Sequence, residues 1–147
     1  MAHIRTQVRT AVLAAITGLA TTGVRAYVAH DRPLLAAELP CVMLSVSDIA
    51  QAESVTAALL LRRTVSIEVQ AIAKATTGLA DTLDQIGEEV EEALGAALTV
   101  DGQQLYLRYT GTAPADINSE TDRPVGAISI NFEVDFYTQA ANAGEIF

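Results

Sequence analysis

The chain has little of what usually carries chemistry or cross-links. It holds one cysteine, Cys41, and no tryptophan among 147 residues. A single cysteine excludes an intramolecular disulfide. Its place after Pro40, in an apolar stretch, reads as a small buried thiol. The two histidines, His3 and His30, sit outside any ligand-spacing pattern, so no metal site is expected. Aromatic residues make up only 5%, which leaves an aliphatic core. Basic residues number 9 against 18 acidic ones, for a net charge of −9. Such a chain repels phosphate backbones rather than wrapping them. No apolar run reaches the roughly 18 residues of a membrane helix. Arg5 and Arg9 head the chain, but polar residues interrupt the apolar segment that follows. That segment reads as a structural helix of a protein made in the cytosol, not a signal peptide. Neither a Gly-x-Gly-x-x-Gly turn, a P-loop nor a Gly-x-Ser-x-Gly elbow occurs, so no cofactor and no enzymatic activity are expected.

What the chain does have is patterned apolar residues, which make up half of it. At this length one domain with its own core is expected, over residues 1–138, followed by a C-terminal tail at 139–147 that frays. Ile128, Ile130, Phe132, Val134 and Phe136 fall on even positions, and Ser129, Asn131, Glu133, Asp135 and Tyr137 on odd ones. Side chains of a strand alternate between two faces, so 125–138 predicts a half-buried strand with one greasy and one wet face. Val65, Ile67, Val69 and Ala71 repeat the pattern in a strand at about 59–73. Val42, Leu44 and Val46 mark a third at 41–47, paired with it as an antiparallel hairpin through a polar connection at 48–58. Shorter strands are expected at 24–29 and 103–110.

Two helices complete the pattern. Ile4, Val8, Val12, Ala15 and Leu19 recur at spacings of three and four, with Ala11 and Ile16 widening the stripe. They predict a helix over 3–20. Leu79, Leu83, Ile86, Val90 and Leu94 predict a second over 78–97, capped by Thr76 or Thr77. The order is helix, three strands, helix, two strands. The fold class is therefore α+β: one mixed, mostly antiparallel sheet of about five strands with two helices packed on its greasy face.

Without a catalytic constellation, the notable residues are candidates for contact surfaces. Glu88, Glu89, Glu91 and Glu92 form an acidic run without a lysine or arginine between Lys74 and Arg108. No i, i+4 cation relieves it, and it approaches the negative helix end. It reads as a solvated face, as a surface for basic residues of a neighbouring subunit, or as the lining of a surface that must not hold DNA. Arg62 and Arg63 point to opposite faces of their strand. Asn131, Glu133 and Asp135 lie on the wet face of the last strand, a candidate for a neighbour or a channel. The loops at 31–40, 48–58 and 111–124 are candidate contact arms.

Several stretches also resemble a known family. They are Ile-Arg-Thr-Gln-Val-Arg-Thr-Ala-Val-Leu-Ala-Ala-Ile-Thr-Gly-Leu at the start, Leu-Pro-Cys-Val-Met-Leu-Ser-Val, and Arg-Arg-Thr-Val-Ser-Ile-Glu-Val-Gln-Ala. Leu-Ala-Asp-Thr-Leu-Asp-Gln-Ile-Gly-Glu-Glu-Val-Glu and the closing Arg-Pro-Val-Gly-Ala-Ile-Ser-Ile-Asn-Phe-Glu-Val complete the set. Together, over residues 3 to 138, they resemble the tail terminator (minor tail protein U-like) proteins of long-tailed bacteriophages. The likeness is one of apolar and polar pattern, and related tail-completion and neck proteins share it. It implies a virion protein that forms a ring, usually a hexamer, at the head-proximal end of the tail tube. That ring stops tube polymerisation and offers the joint to the head-completion or neck connector protein, while DNA passes through without specific binding. Its implied partners are itself, the major tail tube protein and the connector; no membrane is involved. The alternatives are another neck or tail-completion protein, or a small cytosolic α+β enzyme or ligand-binding domain.

Overall fold

The computed structural model describes residues 2–29, 34–35, 38–54, 59–74, 77–114, 119–120 and 125–146. Helix α1 spans Ile4–Ile16 and helix α2 Leu79–Leu94. Between them lie strands β1 (Ala26–Val28), β2 (Leu34–Leu35), β3 (Cys41–Ser54) and β4 (Leu59–Lys74). After α2 come β5 (Leu98–Val100), β6 (Gln103–Leu105), β7 (Arg108–Pro114), β8 (Ser119–Glu120), β9 (Val125–Gln139) and β10 (Asn142–Ile146).

The main sheet runs β1-β3-β4-β9, and beyond β9 lie both β7 and β10. Only β1 against β3 is parallel. The expected mixed, mostly antiparallel sheet with two helices is thus present. Its centre is three long strands in unbroken register: Leu44 opposite Val69 and Val69 opposite Ile130, then Val46 opposite Ile67 and Ile67 opposite Phe132. These residues share one face. On it lie Ile4, Val8, Val12 and Ile16 of α1 with Leu83, Ile86, Val90 and Leu94 of α2, all buried in one cluster. Gly126 lets α2 approach β9: a Cβ there would come within 2.9 Å of Leu79 Cδ2 and 3.1 Å of Leu83 Cδ1.

Several boundaries differ from the sequence reading, each for a physical reason. Helix α1 stops at Ile16, although the apolar stripe continues to Leu19. Gly18 adopts φ +91°, a left-handed conformation open to glycine, and turns the chain. The cap of α2 is Gly78, with no side-chain cap hydrogen bond, so Thr77 does not serve and Thr76 lies outside the described residues. His3 caps α1 through Nδ1, which accepts from the Arg5 amide at 3.0 Å. The segment 48–58 is not a loop over its first half: β3 runs on through Ser54, paired residue for residue with β4. Residues 55–58 lie outside the described residues. The tail beyond Gln139 contains β10, which pairs with the end of β9.

The second face of the sheet is divided. At one end Leu39, Cys41, Met43, Ile72 and Ala127 form a second, smaller apolar cluster with Tyr27 packed on it. Burial pushes the Cys41 thiol up to about 12, with the Glu38 carboxylate adding to it and Arg25 opposing it. A thiol that is neither ionised nor accessible is inert. Native protein is therefore expected to leave Ellman's reagent unreacted over hours at pH 8, and to react with one equivalent only after denaturation. Rapid labelling of the folded chain would contradict that burial.

Candidate interaction surfaces

The polar residues fall into three groups, placed by the register of β3, β4 and β9. The first lies on the helix side, where the core thins toward the distal end of the hairpin. Asp48 is opposite Val65, and Ala50 is opposite Arg63. Asp48 and Arg63 are therefore diagonal neighbours on one face. Arg63 Nη1 donates to Asp48 Oδ2 at 2.6 Å, and Arg5 of α1 donates to Asp48 Oδ1 at 2.5 Å. The side chains of Arg63 and Asp48 are 8% and 5% exposed, that of Arg5 46%. Arg63 Nε also donates to Thr138 Oγ1 at 2.8 Å. Burial pushes the Asp48 carboxyl up, but the hydrogen bonds and charges of Arg5 and Arg63 outweigh it and hold the group below the ordinary aspartate range. Two cations and one carboxylate thus fasten α1 to the sheet. Arg63, expected as a surface candidate, belongs to this buried cluster and offers nothing to a neighbour.

The second group is the wet half of the opposite face. Arg62 points here, so the two arginines do diverge. It lies 3.8 Å from Asp135 Oδ2. Arg108 of β7 approaches Glu133 at 2.9 Å and Asp135 at 3.7 Å, and Thr64 Oγ1 donates to Asp135 Oδ1 at 2.7 Å. Asn131 Nδ2 reaches the Gly111 and Ser129 carbonyls at 3.4 Å. The sequence pattern places Asn131, Glu133 and Asp135 on a wet face and sends Arg62 and Arg63 to opposite faces; Arg62 joins the three here. The pattern misses Arg108, which pairs across β9 only because β7 lies there. Beside them is an open hollow of about 360 Å³ lined by Ser45, Ser47, Ser66, Glu68, Asn131 and Glu133. It is a polar surface with its charges largely paired.

The third group is on α2. Glu88, Glu91 and Glu92 are exposed, and Asp81 and Asp84 are exposed on the same helix. Glu89 departs from the run. Its carboxylate accepts from the Thr21 amide at 2.8 Å, from Thr21 Oγ1 at 2.5 Å and from Gln85 Nε2 at 3.1 Å. Burial pushes Glu89 up, but the hydrogen bonds of Thr21 and Gln85 bring it below the usual glutamate range. Glu89 thus holds the turn after α1 against α2, and the remaining glutamates form an outward acidic ridge.

Two expected contact arms come together. Leu34 and Leu35 pair in parallel with Ser119 and Glu120, joining the loop after β1 to the loop before β9. The large apolar side chains left exposed include Ile49 at 73%, Tyr106 at 69% and Tyr109 at 45%. Tyr109 rests on Phe132 with ring centroids 5.5 Å apart. Among the described residues, no three His, Cys, Asp or Glu side chains converge as metal ligands, and no helix is long and apolar enough to cross a membrane.

No family model matches the chain, and no curated protein matches it. Among solved structures it is similar to a chain of the virion of a native gene transfer agent (GTA) particle. The two share 22% identity over 92% of each chain, with a TM-score of 0.53. That likeness is one of fold.

Proposed function

We propose that the chain is a structural virion protein that closes the head-proximal end of a phage-type tail tube as a ring, most simply a hexamer. One face of the ring matches the last layer of tube protein and ends its polymerisation. The other meets the head-completion or neck connector protein. The role is mechanical and needs no catalytic step. The observation that carries it is the shared fold over 92% of both chains with a component of a gene transfer agent virion. The tail-terminator resemblance of the sequence supplies the finer position.

The charge distribution suits that role. Helix α2 holds no lysine or arginine among its exposed acids, and a ring through which DNA slides gains from surfaces that do not hold phosphate. Purified protein mixed with tube protein is expected to give capped tubes of limited length. By negative-stain electron microscopy the caps are closed rings with a hole of about duplex width. Reversal of Glu88, Glu91 and Glu92 to lysine is expected to leave the fold intact and to impair either capping or ring formation. A protein that stays strictly monomeric, alone and with tube protein, overturns the reading.

A further inference from the structure

Among the described residues the sheet ends in several edges, and two of them, the distal half of β3 and the outer side of β7, differ. Strand β3 is covered on its outer side by β1 only as far as Leu44. The Val42 amide donates to the Arg25 carbonyl at 3.0 Å, and the Leu44 carbonyl accepts from the Ala29 amide at 2.8 Å. Even-numbered residues of β3 therefore turn their amides and carbonyls away from β4. Since β3 and β4 pair without a bulge through Ser54, the same holds for Val46, Asp48, Ala50 and Ala52. No described strand runs along that side of them.

Edges of this kind are normally blunted by lysine, proline, a bulge or brevity. From Ser45 to Ala52 there is no proline, no lysine and no bulge. The single charge, Asp48, is spent on Arg5 and Arg63 beneath α1. The side chains at 45, 47 and 49–52 are exposed, and Ile49 is the most open large apolar residue of the strand. On the opposite side of the sheet, β7 is an edge strand that pairs with β9 alone. All its residues but Gly111 are exposed, its pairing with β9 shifts register between Tyr109 and Gly111, and it ends in Pro114.

We infer that residues 45–52 of β3 accept a strand from a second copy of this chain, and that the strand is β7 of that copy. The choice of a second copy rests on the ring proposed above. The two edges lie on opposite sides of one sheet, so their pairing is head-to-tail: each subunit gives one edge and takes the other, and the contact repeats until rotation closes it. Backbone hydrogen bonds supply the attachment, as in other strand additions. The bulge and Pro114 keep β7 short, which limits each junction and discourages runaway stacking of edges.

Proline tests this directly. The Ala50 amide faces outward, so Ala50→Pro removes an edge donor without taking one from the ladder to β4. By the same alternation the Thr112 amide faces away from β9, and Thr112→Pro blocks the β7 edge. By sedimentation velocity, wild type is expected to form a ring, and each variant to remain monomeric with an unchanged circular dichroism spectrum. An equimolar mixture of the two variants is expected to form a one-to-one dimer and nothing larger, because one intact edge of each kind remains. A ring formed by Ala50→Pro overturns the inference while leaving the ring reading standing. A ring formed by Thr112→Pro overturns β7 as the occupant. Monomeric wild type, even with tube protein, overturns both readings. If either variant fails to fold, hydrogen exchange on wild type decides. The amides of Val46, Asp48 and Ala50 are expected to gain protection of 10-fold or more on assembly, and no gain overturns the inference.

Discussion

Asp48→Ala is expected to destabilise the chain by about 3–5 kcal/mol, the usual cost of removing one partner from a buried ion pair. The cost does not measure the strength of the bridge. It measures what is left behind: Arg63, 8% exposed, keeps its charge and loses its carboxylate. Thr138 Oγ1 still accepts from Nε, but a neutral hydroxyl does not compensate a guanidinium. Native domains have only about 5–15 kcal/mol in hand, so the variant unfolds at much lower urea with its m-value unchanged. Asp48→Asn is expected to act in the same direction, because the amide keeps the shape without the charge. Arg5→Ala is expected to cost less, since Arg5 is half exposed and its loss leaves Asp48 still paired with Arg63. A loss below about 1 kcal/mol for Asp48→Ala would mean that Arg63 reaches water by itself.

Two carboxylates, one in this cluster and one on α2, set an acid limit. Asp48 and Glu89 both titrate below their ordinary ranges in the folded chain. A carboxylate with a lowered folded pKa contributes stability that is fully present above its unfolded value, about 3.9 for aspartate and 4.3 for glutamate, and is lost as pH falls through its folded one. Urea midpoints are therefore expected to be flat with respect to these two groups down to about pH 5, and to fall below about pH 4. Asp48→Asn should remove part of that acid slope.

Where a pattern has a period, the sequence showed it. Ile4, Val8, Val12 and Ile16 recur every four residues, and the even ladder of β9 meets the odd ladder of β4 across one buried face. Both signals are large because each apolar side chain lost to water has the same penalty at every repeat. The distal half of β3 carries no such signal. Asp48, Ala50 and Ala52 occupy the helix side where larger apolar residues would declare a strand. Small and charged residues suffice there because Arg63 and Asp48 fill the space with paired charge. The Asp48–Arg63 contact was invisible for the same reason: it depends on a register over 14 residues, which no local pattern states. Glu89 was read with its acidic neighbours because the helix places it among them. Only the turn at Thr21, brought close by tertiary packing, separates it from them. The pairing of Leu34–Leu35 with Ser119–Glu120 joins two loops more than eighty residues apart, and nothing in either announces the other.

The two faces of β9 give the sharpest contrast between neighbouring residues. Phe132→Asp is expected to abolish folding. Phe132 is 3% exposed, lies opposite Ile67 and carries Tyr109 against its ring. Removing the side chain alone costs about 3–5 kcal/mol. An aspartate in its place adds either a buried carboxylate without a partner or the cost of holding it neutral, several kcal/mol more. Together these match or exceed the whole stability of an ordinary domain. Phe132→Leu keeps an apolar side chain and is expected to fold with a lowered melting temperature. Glu133→Lys, one residue on, is expected to change stability by no more than about 1 kcal/mol, because the pair it breaks is exposed on both sides. Circular dichroism and urea unfolding of the three purified chains read the difference. If Glu133→Lys unfolds the subunit while Phe132→Asp does not, the core lies on the wrong side of β9. The even ladder would then face water, and the helices, the Asp48 cluster and the open β3 edge would all need new places.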